Sequence, residues 1–145
     1  LLPFTCTSWY ETEALLRGGE GDLARAEVER LAGIVGNNRR YRLPLLRSQA
    51  VLAQWDGDVA QAIAYLQSAL ALAREIGLPG EAWPILGELG RLYVEQGEQV
   101  MARQVYKDAA VIIHRLAETI DDDNLRVGFL TAVSVQSILE INGVA

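Results

Sequence analysis

The chain contains a repeat of its own sequence. Residues 42–70 align with residues 82–110 without a gap. The paired positions are Pro44 with Pro84, Leu46 with Leu86, Leu52 with Leu92, Gly57 with Gly97, Ala62 with Ala102 and Ala69 with Ala109. A slightly shorter offset places residues 21–26 on residues 57–62 and gives a third, less similar copy. Repeats of this length are typical of stacked architectures, in which one unit cannot bury its apolar face alone.

The periodicity inside each copy is helical. Apolar residues recur at intervals of three and four along residues 59–76 and again along residues 102–120. This spacing places them on one buried stripe of an α-helix, whereas no segment shows the alternation expected of a strand. Extended over the chain, the pattern predicts helices at residues 8–18, 22–36, 42–56, 59–76, 82–96, 99–120 and 124–141.

Glycine, aspartate and proline mark the ends of these helices. In the pairs Gly21–Asp22 and Gly57–Asp58 the glycine can adopt the left-handed conformation that ends one helix, and the aspartate can cap the next. Pro44 and Pro84 are predicted to lie in the first turn of their helices, where a missing amide hydrogen matters least. The acidic run at residues 121–124 is predicted to be a solvated loop whose last members cap the terminal helix.

Length and charge narrow the class of protein. The 145 residues suit a single domain spanning residues 1–145, and the start at Leu1 rather than Met predicts a segment of a longer protein. The net charge of −6 opposes attraction to phosphate backbones and anionic lipids. We therefore expect neither nucleic acid nor a membrane as partner. Cys6 is the only cysteine, so an internal disulfide is excluded, which favours a cytoplasmic location.

Residues that could carry catalysis or bind a metal are few. His114 is the only histidine, and we predict a core or boundary position for it because it falls beside the apolar Ile113. One histidine and one cysteine do not make a zinc site, and no phosphate-binding glycine loop occurs. Glu11, Glu13 and Glu20 are predicted to belong to a solvated helix face. The sequence predicts no enzyme activity, no cofactor and no metal.

Residues 89–109 resemble the tetratricopeptide repeat. Residues at the signature positions of that family are Leu86, Leu89, Gly90, Tyr93, Gly97, Ala102, Tyr106 and Ala109. The second copy matches through Leu46, Ala50, Gly57, Ala62, Leu66 and Ala69. The first copy departs most, because Arg30 and Gly33 stand where an aromatic residue and an alanine are usual.

The resemblance implies an all-α fold: a right-handed superhelical solenoid of about three helix-turn-helix pairs followed by a terminal helix. The pairs would span residues 8–36, 42–76 and 82–120, and the terminal helix residues 124–141. The long period is similar to the variant found in bacterial signalling ATPases and in regulators of the maltose-regulon-activator type. In this family the first helix of each pair lines a concave groove that binds protein partners.

The resemblance also assigns candidate groove residues. Carried over by position, they are Arg47, Val51, Gln54 and Trp55, then Arg91, Val94 and Glu95, with Glu11 and Leu15 from the first copy. Two arginines beside an indole suit a peptide carboxylate, and the indole equally suits a stacked sugar. The alternative is that Trp55 packs under the next loop and that both arginines only increase solubility. Trp9 and Trp83 are predicted to be structural.

Two hypotheses on function follow. The first is a non-catalytic module that binds a peptide or a partner domain within a larger bacterial signalling or transcription-regulating protein. The second is a sensor region that binds a small metabolite, such as a sugar, on the same face. The helix at residues 124–141 has three alternative roles: a cap, half of a fourth repeat, or the contact of a homodimer.

Overall fold

The computed structural model describes residues 9–142, and within them every regular element is an α-helix. The helices are α1 (Trp9–Arg17), α2 (Gly21–Val35), α3 (Arg39–Trp55), α4 (Val59–Ile76), α5 (Pro79–Glu95), α6 (Gln99–Glu118), α7 (Asp123–Thr131) and α8 (Val133–Ile141). The all-α class and the tetratricopeptide-like pairing of helices α1 with α2, α3 with α4 and α5 with α6 are confirmed.

The chain divides into two compact units. Unit 1 is Leu1–Ile76 and its described part holds α1–α4, whereas unit 2 is Gly77–Ala145 and holds α5–α8. In unit 1 a core cluster of Val28, Leu31 and Val35 packs α2 against Leu45 of α3. Whether residues 1–145 behave as one domain stays a prediction.

The three helix pairs turn in the same way. At each turn a backbone N–H donates over 2.8 Å to a carbonyl five residues earlier. The bonds run from Glu20 to Leu15, from Asp58 to Ala53 and from Glu98 to Tyr93. The glycine before each donor has a φ of 81° at Gly19, 78° at Gly57 and 78° at Gly97. A left-handed glycine therefore ends the first helix of every pair.

These turns correct the alignment of the first copy. Gly19, and not Gly21, is equivalent to Gly57. The buried stripe of α2 is Ala24, Val28, Leu31 and Val35, which in this corrected register matches Ala62, Leu66, Ala69 and Ala73 of α4. The prediction of a left-handed Gly21 is wrong, because Gly21 is the first residue of α2. Asp22 is inside α2 and does not cap it.

The starts of α3 and α5 also differ from the prediction. Each helix begins three residues earlier than expected, at Arg39 and Pro79, so that Pro44 and Pro84 lie inside their helices and not in the first turn. The cause at α3 is Asn38, whose side chain accepts backbone N–H groups of the first turn and caps the helix there. At α5, Pro79 itself supplies the fixed φ that suits a first helical residue.

Small residues allow close packing of the paired helices, as the sequence predicts. In unit 2, a Cβ added to Gly90 of α5 would lie only 2.5 Å from a ring carbon of Tyr106 on α6. Tyr106 is buried, which raises the pKa of its hydroxyl group. In unit 1, the equivalent pair is Ala50 on α3 and Leu66 on α4, and both are fully buried. A smaller side chain on one helix is thus matched by a larger one on its partner.

The prediction of one terminal helix is wrong, because the chain breaks at Ala132 into α7 and α8. Ala132 has φ −57° and ψ 140°, which is an extended conformation outside the helical region. The break allows α8 to bury Val135, Ile138 and Leu139. Asp122 caps α7 by accepting the N–H of Leu125 over 2.9 Å, so the acidic run caps the next helix as expected.

Candidate partner-binding faces of the first helices

The corrected alignment defines which positions of the first helices are equivalent. Arg47, Val51, Gln54 and Trp55 of α3 correspond to Trp9, Glu13, Leu16 and Arg17 of α1. We call these eight residues the unit 1 face; Leu16 and Arg47 are its buried members, and the other six are exposed or half-buried. Glu11 and Leu15, which the sequence-based alignment assigns to the groove, are therefore not equivalent to groove positions. The sequence-based alignment fails here because the Gly-Asp pair at residues 21–22 resembles the pair at residues 57–58. In the structure the turn between α1 and α2 is formed by Gly19.

Arg47 and Trp9 hold the two first helices of unit 1 together. The guanidinium carbon of Arg47 lies 4.4 Å from the centroid of the Trp9 ring, a cation–π contact. Arg47 is only 5% exposed, unusually low for an arginine. Because its charge rests on an aromatic ring within the fold, Arg47 positions α3 against α1 and is not presented to solvent. Trp9 thus has a structural contact, as predicted.

Trp55 is the exposed aromatic residue of this face. It is 57% exposed at the end of α3, while the preceding Val51 and Gln54 on the same helix are half-buried. This exposure contradicts the alternative in which Trp55 packs under the next loop. The adjacent Asp56 forms an exposed ion pair with Arg25 of α2, and the hydrogen bond from Arg25 lowers the pKa of that carboxyl group. The pair ties the end of α3 to α2 beside the indole.

Helix α1 contributes charge and one side of a cleft. Glu13 and Arg17 form an ion pair one helical turn apart, at positions equivalent to Val51 and Trp55. The cleft lies between α1 and α2 and has a volume of about 480 Å³. Its lining residues are Glu11, Thr12, Ala14, Leu15, Leu23, Glu27 and Val28. Glu11 and Leu15 thus belong to this cleft and not to the unit 1 face.

In unit 2, the candidate residues Arg91, Val94 and Glu95 share the exposed side of α5. Arg91 Nη1 donates to Glu95 Oε1 over 2.8 Å, and Val94 between them is 46% exposed. An exposed pair of this kind contributes little to stability, so a partner could replace it at low cost. Gly87, the equivalent of Arg47 on this helix, lies under Ile138 of α8.

The remaining sequence-based candidates lie apart from these faces. His114 is exposed on α6, so the prediction of a core or boundary position is wrong. Its neighbour Ile113 is fully buried, because residues one apart on a helix point about 100° from each other. Trp83 is half-buried, and its ring meets Phe129 of α7 edge-on at 6.3 Å, a structural contact. Residues 9–142 contain no group of three or more His, Cys, Asp or Glu side chains placed to hold a metal ion.

The tetratricopeptide repeat family model matches residues 41–110, which run from the first turn of α3 into α6. Residues 41–110 therefore contain tetratricopeptide repeats. Such repeats generally mediate protein–protein interaction and are typically non-catalytic. A search of curated proteins and a search of solved structures each gave no match.

The pair α1–α2 lies outside the matched region but has the same turn, with Gly19 in the place of Gly57. Among the residues described, no helix is sufficiently long and apolar to cross a membrane.

Proposed function

We propose that this segment is a non-catalytic protein-interaction module of a larger bacterial signalling or regulatory protein in the cytoplasm. It binds a peptide or a partner domain through the unit 1 face and through Arg91, Val94 and Glu95 of unit 2. The observation that carries the proposal is Trp55, a large aromatic side chain that is 57% exposed on a first helix of the repeat.

The chemistry of the unit 1 face supports a peptide ligand. An exposed indole supplies a large apolar contact area with few rotatable bonds, and tryptophan is enriched among residues that dominate binding energy. Gln54 directly precedes Trp55 on α3. Its side-chain amide can both donate hydrogen bonds to a peptide backbone and accept hydrogen bonds from it. Arg47 lies over Trp9, so an anchor for a carboxylate on this face falls to Arg17, which must exchange Glu13 for it.

A small metabolite is the second candidate. The same exposed Trp55 ring could stack on the apolar face of a sugar, and this one observation favours it. The two candidates differ in how much surface they need. A sugar would use the indole and its immediate neighbours, whereas a peptide would also depend on charged residues along α1.

Thermal unfolding in the presence of ligands tests the proposal. The protein is screened against peptides with free terminal carboxylates and against a panel of small metabolites. A ligand present at 100 times its dissociation constant should stabilise the fold by about 2.7 kcal/mol. A shift with peptides supports the interaction module, a shift with metabolites alone supports the sensor, and no shift with either contradicts both.

A matched pair of variants then locates the site by calorimetric titration. Trp55→Ala should weaken binding at least tenfold, because it removes the exposed indole. Val100→Ala is the control, because Val100 is 80% exposed on α6, which is the second helix of its pair and carries none of the candidate binding residues. Both variants should unfold at the same temperature as the parent. Unchanged affinity in Trp55→Ala would show that the ligand binds elsewhere on the protein.

A further inference from the structure

Helix α8 is docked on α5 and α6 through one apolar side. Val135, Ile138 and Leu139 are 1%, 5% and 3% exposed. Ile138 covers Gly87 of α5 so closely that a Cβ added to that glycine would lie 3.0 Å from Ile138 Cδ1. The α8-binding surface on α5–α6 is therefore shaped for this side chain.

A polar contact fixes the far end of the same helix. Asn142, directly after α8, donates from Nδ2 to the backbone carbonyl of Tyr106 on α6 over 3.0 Å. The contact joins two segments that are far apart in the chain. Helix α8 thus has a specific, complementary docking site made by another part of unit 2.

The break that allows this docking is not imposed by the local sequence. Thr131, Ala132, Val133 and Ser134 contain no glycine or proline, and alanine is the best helix former. The break is supported by tertiary contacts and by Gln136, whose Nε2 donates to the Leu130 carbonyl over 2.7 Å. In a continuous helix the backbone N–H of residue 134 would satisfy that carbonyl instead.

The local sequence is thus compatible with a second conformation of this segment. If Ala132 becomes helical, α7 and α8 join into the single helix that the sequence periodicity predicts. In that conformation Val135, Ile138 and Leu139 leave unit 2 and are exposed to water, together with the surface around Gly87. Exposed apolar surfaces of this kind associate, and a second copy of the chain carries the complement of each: its α5–α6 surface fits α8, and its α8 fits the α5–α6 surface.

We propose that two copies of this chain exchange their α8 helices, with Ala132 as the hinge. The α8 of one copy occupies the α5–α6 surface of its partner, so the contacts of α8 with α5 and α6 recur between copies. Exchange of an identical element is a low-cost route to a dimer.

Exposed side chains near the hinge support the exchange. Leu125 is 67% exposed on α7 and Val133 is 86% exposed at the start of α8. In a continuous helix the two lie on the same side, with Phe129 between them at a spacing of one turn from each. They would form one apolar stripe where the two extended helices leave their own copies and run to the partner.

Val133→Pro tests the hinge directly. Ala132 already has the extended conformation that a residue before proline prefers, and residue 133 is the first residue of α8, where proline fits. The variant should keep the closed monomer and forbid the continuous helix. Val133→Ala is the matched control, because it removes the same exposed side chain and leaves the backbone free. Gln136→Ala should have the opposite effect to proline, since it removes a contact that only the broken form uses.

The oligomeric state is measured by sedimentation velocity over a concentration series, after refolding at high concentration so that exchange can equilibrate. We expect a dimer for the parent and for Val133→Ala, a dimer at least tenfold weaker for Val133→Pro, and a stronger dimer for Gln136→Ala. A parent that stays monomeric throughout overturns the proposal. Equal loss of the dimer in both Val133 variants would also overturn it, because that result indicates a surface contact through the side chain.

Cysteine cross-linking separates exchange from surface contact. In a Cys6→Ser background, Gly87→Cys and Ile138→Cys are combined and the isolated dimer is oxidised. Exchange predicts covalent dimers on a denaturing gel. Covalently closed monomers from the dimer fraction would show that each α8 remains on its own copy, and the proposal would fail.

Discussion

Gly90 and Tyr106 show how a single residue sets the distance between two helices. A Cβ at residue 90 would meet three ring carbons of Tyr106 at 2.5, 2.7 and 2.7 Å, and the ring lies in a packed interior. Overpacking of a core costs typically about 1–3 kcal/mol. We expect Gly90→Ala to lower the free energy of unfolding by that amount in chemical denaturation.

Two variants test this explanation. Gly33→Ala is the control, because Gly33 lies inside α2 and nothing is within 4 Å of an added Cβ. That change should stabilise the protein by about 0.5–1 kcal/mol through helix propensity alone. The double variant Gly90→Ala with Tyr106→Leu recreates the natural pair of Ala50 and Leu66. It should recover part of the loss, and strictly additive effects would mean that the two side chains are not coupled.

At the scale of the element, the start of each second helix depends on the residue after the left-handed glycine. Asp58 accepts the backbone N–H of Gln61 over 3.1 Å, whereas Glu20 and Glu98 at the same position make no such side-chain bond. Glutamate has one methylene more than aspartate and caps less well. The three turns share one backbone geometry but differ in this bond.

The difference predicts opposite effects of two substitutions. Asp58→Ala should lower the free energy of unfolding by about 1 kcal/mol, because the first turn of α4 loses its side-chain acceptor. Glu20→Asp should raise it by up to about 1 kcal/mol, since it supplies that acceptor to α2. Thermal unfolding measures both. Equal destabilisation by the two changes would contradict the capping argument.

At the scale of the whole molecule, the helix pairs are packed to different degrees. The cleft between α1 and α2 is lined by Glu11, at the position where the third pair has the buried Leu89. Helix α7 buries none of its residues, whereas α3, α4, α5 and α6 each bury six or seven. Repeat proteins can open locally where neighbouring contacts are weak.

Hydrogen exchange followed by mass spectrometry should therefore show a gradient along the chain. Backbone amides of α1 and α7 should exchange first, and those of α3–α6 should be the best protected. The physical reason is that helices with few buried apolar side chains can open without unfolding the rest. Equal protection of α1 and α5 would contradict this expectation.

The sequence determined the helical class, the pairing of helices and the family. These follow from local properties: apolar residues at helical spacing, glycines at Gly57 and Gly97 that tolerate a positive φ, and small residues at Gly90 and Ala102. Each of these constraints acts within one helix or between two adjacent helices. A pattern in the sequence is sufficient to reveal them because the residues that interact are close in the chain.

Tertiary structure alone decided the register of the first pair, the burial of Arg47 and the break at Ala132. Two glycine turns compete at residues 18–21, and the packing of Val28 and Leu31 on α3 selects the one at Gly19. Arg47 is buried because Trp9, on a helix distant in the chain, offers its ring. Ala132 leaves the helix although its sequence favours one, because docking of α8 on Gly87 and Tyr106 supplies contacts that no local propensity contains.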